Sequence, residues 1–197
     1  MFHWLIIAEH KVIDARNRGI NTNIYRVGNL VFNSKTLKHQ PNIESNGFYN
    51  TLKTFSKLGV IFETFAIEMS CVDNAAELIC GIYDKKVLQN GIYHVYSDEV
   101  VPIAKLVDQV SSAGIKVVPL SQYIDKIKID YNHPEFRQTI ANQLLHLGWL
   151  DDGVEEMTDC VVDQSFTNYI LKNIRFKWQR ISKYHIKHIF DNFKLKR

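Results

Sequence analysis

The chain of 197 residues is poor in several things at once. It has three cysteines, Cys71, Cys80 and Cys160, an odd number at wide spacing with no Cys-x-x-Cys pair. That excludes a disulfide framework and a zinc ribbon, and it suits free thiols in a reducing cytoplasm. Long apolar runs are missing too. The longest near the start is Trp4 to Ala8, far short of the roughly 18 residues of a membrane-spanning helix. Met1 to Ala8 has neither a basic leader nor a small-residue cleavage site, so it does not read as a secretory signal. The nine glycines are never closer than Gly148 and Gly153. Dinucleotide binding on a doubly wound sheet needs closely spaced glycines, so that the backbone can approach a pyrophosphate at a helix N-terminus. This chain has no such loop.

What is present is an average soluble composition, 46% hydrophobic and 23% charged, sufficient for one sizeable core or two small ones. The net charge of +3 hides an asymmetry. From Lys172 to Arg197 nine basic residues (172, 175, 177, 180, 183, 187, 194, 196 and 197) face one acid, Asp191, so this end carries +8 and leaves −5 for the remainder. Such a split points to a charged partner.

Along the chain, Leu5, Ala8, Val12 and Ala15 recur at helical spacing, and Arg16, Arg18 and Gly19 make a helix ending. Ile20 to Val27 is short and β-prone and stops at Gly28-Asn29, which predicts a strand and a turn. A helix leading directly into a strand is the second half of a β-α-β unit. No strand precedes this helix, and Met1-Phe2-His3-Trp4 supplies no N-cap, so the expectation is a chain that begins inside a domain. Residues 30–47, rich in Asn, Ser, Lys and His, read as a loop. Phe48 to Leu58 reads as a helix closed by Gly59, and Phe65 to Ser70 as a strand. Asp73 or Asn74 is the predicted cap of a helix with Ala75, Leu78, Ile79 and Ile82 on one face. Gly91 to Tyr96 and Ile115 to Val118 are predicted strands; a helix from Pro102 to Gly114 separates them. Ser121 caps a predicted helix through Ile127, and from Pro134 the pattern is helical, interrupted by the acidic stretch Asp151 to Asp159.

Few residues offer chemistry. Tyr49 and Lys53 stand four apart, the spacing by which a lysine lowers a tyrosine pKa for proton exchange in short-chain reductases. Phe48, Leu52 and Phe55 already explain that helix, so coincidence is the better account. His185 and His188 lie one turn apart but lack further ligands except Asp191, which favours a solvated basic face over a metal site. The acids at 151, 152, 155, 156 and 159 lack the alternation of a calcium loop. His94 alternates with Ile92 and Tyr96 and reads as a structural histidine, and no cysteine has a neighbouring base. In the basic tail, Ile186, Ile189, Phe190 and Phe193 fall at core spacing, leaving the charges on an outer face that could dock an acidic protein.

Taken in order, these segments resemble one family, the NAD(P)H-dependent thioester reductase domain that ends many nonribosomal peptide synthetases and related carboxylic acid reductases, within the extended short-chain dehydrogenase/reductases. Ala8-Glu9 through Gly19 looks like the A-E…A…R-G stretch after that family's catalytic Tyr and Lys. Ile24-Tyr25-Arg26-Val27-Gly28-Asn29 is similar to its I-Y-R-P-G-N strand end, with Val27 in place of Pro. Leu58-Gly59, Cys71-Val72-Asp73 in place of P-V-D, and Gly91 through Ser97 follow. Val117-Val118-Pro119-Leu120 with Tyr123, then Asp163, Thr167, Leu171 and Trp178, complete the series.

The resemblance implies an α/β fold, the C-terminal part of a Rossmann-like extended short-chain reductase with a mixed α+β substrate-binding subdomain. Residues 1–30 would be the last crossover helix and strand of a truncated Rossmann domain. Residues 31–197 would be the substrate-binding subdomain with a helical C-terminus, some of its strands returning to the Rossmann sheet. The family's Gly-rich loop would lie earlier, and its Tyr and Lys positions fall on Met1 and Leu5, which do no acid-base work. No catalytic residue and no metal ligand is therefore expected. Arg26, Gly28 and Asn29 would be the surviving cofactor-side positions. The intact family uses NADPH to release carrier-bound acyl or peptidyl thioesters as aldehyde or alcohol. This chain alone is expected to bind no cofactor and to be inactive. An acidic carrier protein bearing a phosphopantetheine thioester, or a missing N-terminal half, is the implied partner. The alternative is a non-catalytic docking module; a membrane or nucleic acid is not expected, and the implied location is cytoplasmic.

Overall fold

A computed structural model describes residues 2–41, 43, 46–108, 114–147 and 162–194. In chain order the elements are α1 (Phe2–Asn17), β1 (Ile24–Val27), β2 (Leu30–Val31), α2 (Gly47–Leu58), β3 (Val60–Phe62), β4 (Ile67–Glu68), β5 (Ser70–Cys71) and α3 (Val72–Tyr83). Then come β6 (Ile92–Val95), β7 (Val100–Val101), α4 (Ile103–Asp108), β8 (Lys116–Val118), α5 (Leu120–Asp130), α6 (Pro134–Leu147), α7 (Ser165–Asn173) and α8 (Lys183–Lys194). The acidic stretch 151–159, Cys160, Gly148, Gly153, residues 109–113 of the helix predicted after Pro102, and the last three residues lie outside the described residues. The chain divides into two compact units, each assembled from three separate segments.

Unit 1 comprises Met1–Thr36, Glu68–Glu99 and Val162–Gln179. Ile24, Tyr25 and Val27 are residue types that suit a pleated surface, and β1 pairs with β6 in parallel, from Ile24 opposite Ile92 to Val27 opposite Val95. β2 pairs with β5, also in parallel, Leu30 opposite Ser70 and Val31 opposite Cys71. The core joins Ala75, Leu78 and Ile82 of α3 to Tyr93 and Val95 of β6 and to Ile170 and Leu171 of α7. Partly buried Tyr25, Phe176 and Trp178 pack around it. The predicted apolar stripe of α1 is not covered: Leu5 is 61% exposed and Ala8 is exposed, whereas Val12 and Ala15 are half-buried.

Unit 2 comprises Leu37–Ile67, Val100–Val161 and Arg180–Arg197. Its first helix, α2, matches the predicted one: Asn46 caps it by accepting the Tyr49 N–H at 3.2 Å, and Gly59 closes it at φ 67°, donating to Phe55 O. A left-handed residue there suits glycine because no Cβ meets the preceding turn. The chain then enters β3, which pairs in parallel with β8, Val60 opposite Lys116 through Phe62 opposite Val118. Phe55, Phe62, Phe65 and Tyr123 form an aromatic core with ring centroids 4.8–5.9 Å apart, in mostly edge-to-face arrangements, the geometry that ring quadrupoles favour. The Tyr123 hydroxyl donates to Gln143 Oε1 at 2.8 Å. Ile186, Ile189 and Phe190 of α8 are fully buried, as their spacing predicts, while Lys183 and Lys187 stay outside.

Several boundaries differ from the sequence reading. The α3 helix starts at Val72, with Cys71 as an extended N-cap that makes no side-chain bond. Asp73 lies within the first turn and is engaged sideways, accepting from Ser34 N at 2.8 Å and Ser34 Oγ at 2.6 Å. The α5 helix starts at Leu120 after Pro119, so Ser121 is inside it. Residues 30–47, read as a loop, contribute β2 and the fully buried Phe32.

Candidate functional site

Strands β1 and β6 run parallel and end side by side, and in open α/β sheets the carboxyl ends of the strands are where ligands bind. Here the chain leaves β1 through Gly28-Asn29 and leaves β6 through Tyr96-Ser97. Glu68 ties the two exits together. Its Oε2 accepts the Asn29 amide at 2.6 Å, its Oε1 accepts the Ser70 hydroxyl, and its carbonyl accepts Asn29 Nδ2 at 3.3 Å. Ser70 Oγ in turn accepts the Ser97 amide at 2.8 Å, and Ser70 N donates to Asn29 O at 3.0 Å. Burial pushes the Glu68 carboxyl above its ordinary value, opposed by the hydrogen bonds from Ser70, Asn29 and Ser97.

Gly28 is required by space. A Cβ built there would sit 2.5 Å from Tyr96 Cβ and fall on the Glu68 carboxylate. Its own amide reaches Val95 O at 3.5 Å.

Arg26 sits one register step inside the strand end, opposite His94. Its guanidinium makes a two-pronged pair with Glu9 of α1, Nε to Oε1 at 2.9 Å and Nη2 to Oε2 at 2.7 Å. The pair lowers the Glu9 carboxyl and raises Arg26. The Arg26 side chain is still 47% exposed, and exposed pairs contribute little to stability. His94 Nε2 lies 3.5 Å from Arg26 Nη1, and its Nδ1 lies 3.4 Å from the Tyr96 hydroxyl. Burial and the Arg26 charge lower the His94 pKa, against the pull of Asp163 and Glu9.

The three positions Arg26, Gly28 and Asn29 thus gather in unit 1 around one strand end. Their donors are engaged internally, the guanidinium by Glu9 and the Asn29 amide by Glu68. By themselves they do not fit the phosphates of a dinucleotide, which need outward amides or free cations. Tyr49 belongs to unit 2; it is buried, and its hydroxyl lies 2.9 Å from His39 Nδ1. His185 and His188 each have partners of their own. His185 Nδ1 takes the Ser182 amide at 3.0 Å, and His188 Nε2 lies 3.2 Å from Leu37 O. Among the described residues no group of three or more His, Cys, Asp or Glu is arranged to hold a metal ion, and no helix is long and apolar enough to cross a membrane. Glu68, Ser70 and Ser97 were not marked by the sequence. Their one signal is a lone acid between the apolar neighbours Ile67 and Met69.

No protein-family model matches this sequence, and no curated protein matches it. Solved structures do resemble it. A thiolation-reductase di-domain from an archaeal non-ribosomal peptide synthetase superposes with a TM-score of 0.75 at 22% identity, over 96% of this chain and 39% of that one. The reductase domain of the aureusimine biosynthetic cluster gives 0.73 at 24% identity, over 95% of this chain and 48% of that one. The terminal R domain of the myxalamid PKS-NRPS pathway gives 0.77 at 18% identity, over 96% and 48%. The chain spans less than half the length of each. Its α/β fold is that of part of the reductase domains of nonribosomal peptide synthetases.

Proposed function

We propose that this chain corresponds to the C-terminal half of an NAD(P)H-dependent thioester reductase of the extended short-chain type, and that it is inactive on its own. The observation that carries this reading is the fold likeness over 95–96% of the chain to reductase domains of which it spans 39–48%. The residues agree with it. Met1 and Leu5 stand where the family's Tyr and Lys would be, and the glycines are too dispersed for a phosphate loop. In this reading residues 1–30 are the last crossover helix and strand of the Rossmann domain, and 31–197 are the substrate-binding subdomain, some of whose strands return to the sheet. Arg26, Gly28 and Asn29 form the cofactor side of the strand end, with Glu68 holding the turn in shape. In the whole enzyme NADPH supplies the hydride that reduces a carrier-bound acyl or peptidyl thioester to an aldehyde or alcohol. The chain works in the cytoplasm. Calorimetric titration of the purified protein with NADPH tests this: no heat of binding is expected, and a micromolar Kd would overturn the reading.

A second reading, a non-catalytic docking module for an acidic carrier protein, draws on one feature. Lys172, Arg175, Lys177, Arg180 and Lys183 are exposed, which supports electrostatic steering of an acidic partner. Lys187 contributes less, since Asp191 pairs with it. Unchanged carrier binding at low salt after reversing Lys183 and Lys187 to Glu would remove this reading.

A further inference from the structure

In unit 2, Leu37 stands in a conformation that leucine avoids. Its φ is 56°, in the left-handed region where a bulky side chain is strained, and the residue is buried. Such a backbone persists only where its surroundings over-determine it, and it gathers at ligand clamps. The Leu37 carbonyl oxygen lies 3.2 Å from His188 Nε2 of α8. One turn further along that helix, the amide end of Asn192 lies 3.1 Å from the same Nε2 and 3.2 Å from His39 Nε2. Two imidazole nitrogens, a side-chain amide and a main-chain carbonyl therefore surround one point, supplied by segments 151 to 153 residues apart in the chain.

Protons alone serve this set awkwardly. With Asn192 Nδ2 donating to both rings, His188 Nε2 has used its lone pair and meets the Leu37 carbonyl as acceptor against acceptor. With the amide turned end for end, Oδ1 accepts from both rings, and the His188 Nε2–H is divided between two oxygens. In that orientation all four atoms hold lone pairs toward the centre, and one cation can stand in for the two protons.

We propose that Leu37 O, His39 Nε2, His188 Nε2 and Asn192 Oδ1 form a four-coordinate site for a divalent ion of the zinc type, clipping the 37–39 segment to α8. The spacing fits, because ligands of a tetrahedral ion bonded at about 2.0–2.1 Å stand about 3.3 Å apart. Two imidazoles sharing such an ion place their ring centroids roughly 5–6 Å apart, and those of His39 and His188 are 5.9 Å apart. On binding, each ring proton moves to Nδ1, and His39 donates its own to the hydroxyl of buried Tyr49, 2.9 Å away. That is the outer support by which metal-bound imidazoles are oriented. The donors also choose the metal. Imidazole suits zinc, copper and nickel, whereas magnesium and calcium take carboxylate and water oxygens, and this set has no carboxylate. His39, His188 and Asn192 are half-buried, so an ion can reach them. Sequence spacing pairs His188 with His185 instead, whose Nδ1 is taken by Ser182.

The test uses the full chain, stripped with a chelator and titrated with zinc chloride by calorimetry and by NMR of the histidine ring nitrogens. One equivalent is expected to bind with micromolar Kd, moving Nε2 of His39 and His188 and of none of the other six histidines. Loss of an outer partner costs about 10–100-fold in affinity, so Tyr49→Phe should weaken binding about tenfold, and His39→Gln or His188→Gln by roughly a hundredfold or more. His185→Gln should leave it unchanged. Circular dichroism of the metal-free variants checks that each is folded, and where one is not, the ring-nitrogen shifts of the parent decide. No saturable binding by the parent overturns the proposal, as do shifts confined to other histidines, or magnesium or calcium binding as tightly as zinc. The reductase reading is scored separately by titration with NADPH, so either can fail without the other.

Discussion

Replacing Gly28 with alanine measures how tightly the strand-end turn is held. The new Cβ would lie 2.5 Å from Tyr96 Cβ and overlap the Glu68 carboxylate, and these two neighbours yield differently. The carboxylate ends a flexible side chain and can swing aside. It then loses the Asn29 amide and the Ser70 hydroxyl, and a hydrogen bond to a charged group contributes about 1.5–3 kcal/mol. Tyr96 Cβ is fixed to its backbone, so the ends of β1 and β6 must part, and overpacking of this kind costs about 1–3 kcal/mol. Alanine also restricts the unfolded chain, which returns about 0.4–1 kcal/mol. The expected net loss is about 2–4 kcal/mol, a fall in Tm of roughly 4–16 °C for a chain of this length. Urea denaturation and thermal melts followed by circular dichroism read it directly. A loss below about 1 kcal/mol would be too small for the overpacking alone. The double variant G28A/E68A isolates the rest: if it were as stable as E68A, the strands would part without resistance and the argument from Tyr96 would fail.

Other outcomes follow from single contacts. At Asp73 burial acts to raise the carboxyl, but the hydrogen bonds from Ser34 and from nearby amides outweigh it and hold the group below its ordinary 3.8. A depressed folded-state pKa gives stability that is present above 3.8 and is lost as pH falls through the lower, folded value. Asp73→Asn is therefore less stable than the parent at pH 7, and urea titrations should show the gap closing toward acid; a gap of constant size refutes the coupling. Phe55→Ala empties the centre of the unit 2 ring cluster, where Phe55 is fully buried, and should lower unfolding free energy by about 3–5 kcal/mol. Burial pushes the Cys71 thiol up to about 12, while Cys80 is exposed. Peptide mapping after brief maleimide treatment should find Cys80 modified and Cys71 protected until the protein is unfolded.

How far the sequence could be read depended on the range of each signal. Helix α2 was legible because its information is local: Phe48, Leu52, Phe55 and Leu58 repeat at helical spacing and Gly59 stops them. Strands β1 and β6 were legible for the same reason, each being a β-prone run next to a glycine. Strands of two or three residues, such as β2, β3 and β7, are too short to express an alternation. The start of α3 was misread because Asp73 has the side chain of a cap but is occupied by Ser34, 39 residues away. The strand-end turn was visible at Gly28-Asn29, whereas the Glu68 that holds it was not. Its partner also stands 39 residues off, and a glutamate in a short strand is most simply read as pointing to solvent. The stripe on α1 was recognisable as a helix signal, yet periodicity carries no information about whether anything covers it.

The threading of the chain through its two units has a bearing on synthesis. Unit 1 needs Val162–Gln179 for α7, which covers β6, and unit 2 needs Arg180–Arg197 for α8, which supplies Ile186, Ile189 and Phe190 to its core. Both units therefore wait for residues 162–197 to leave the ribosome. Until then the outward amide of His94 on β6 lacks its Thr167 acceptor, and α2 and α4 lack the helix that packs on them. A stop codon near residue 161 would leave neither unit complete, because the final segment is shared between them rather than appended to one.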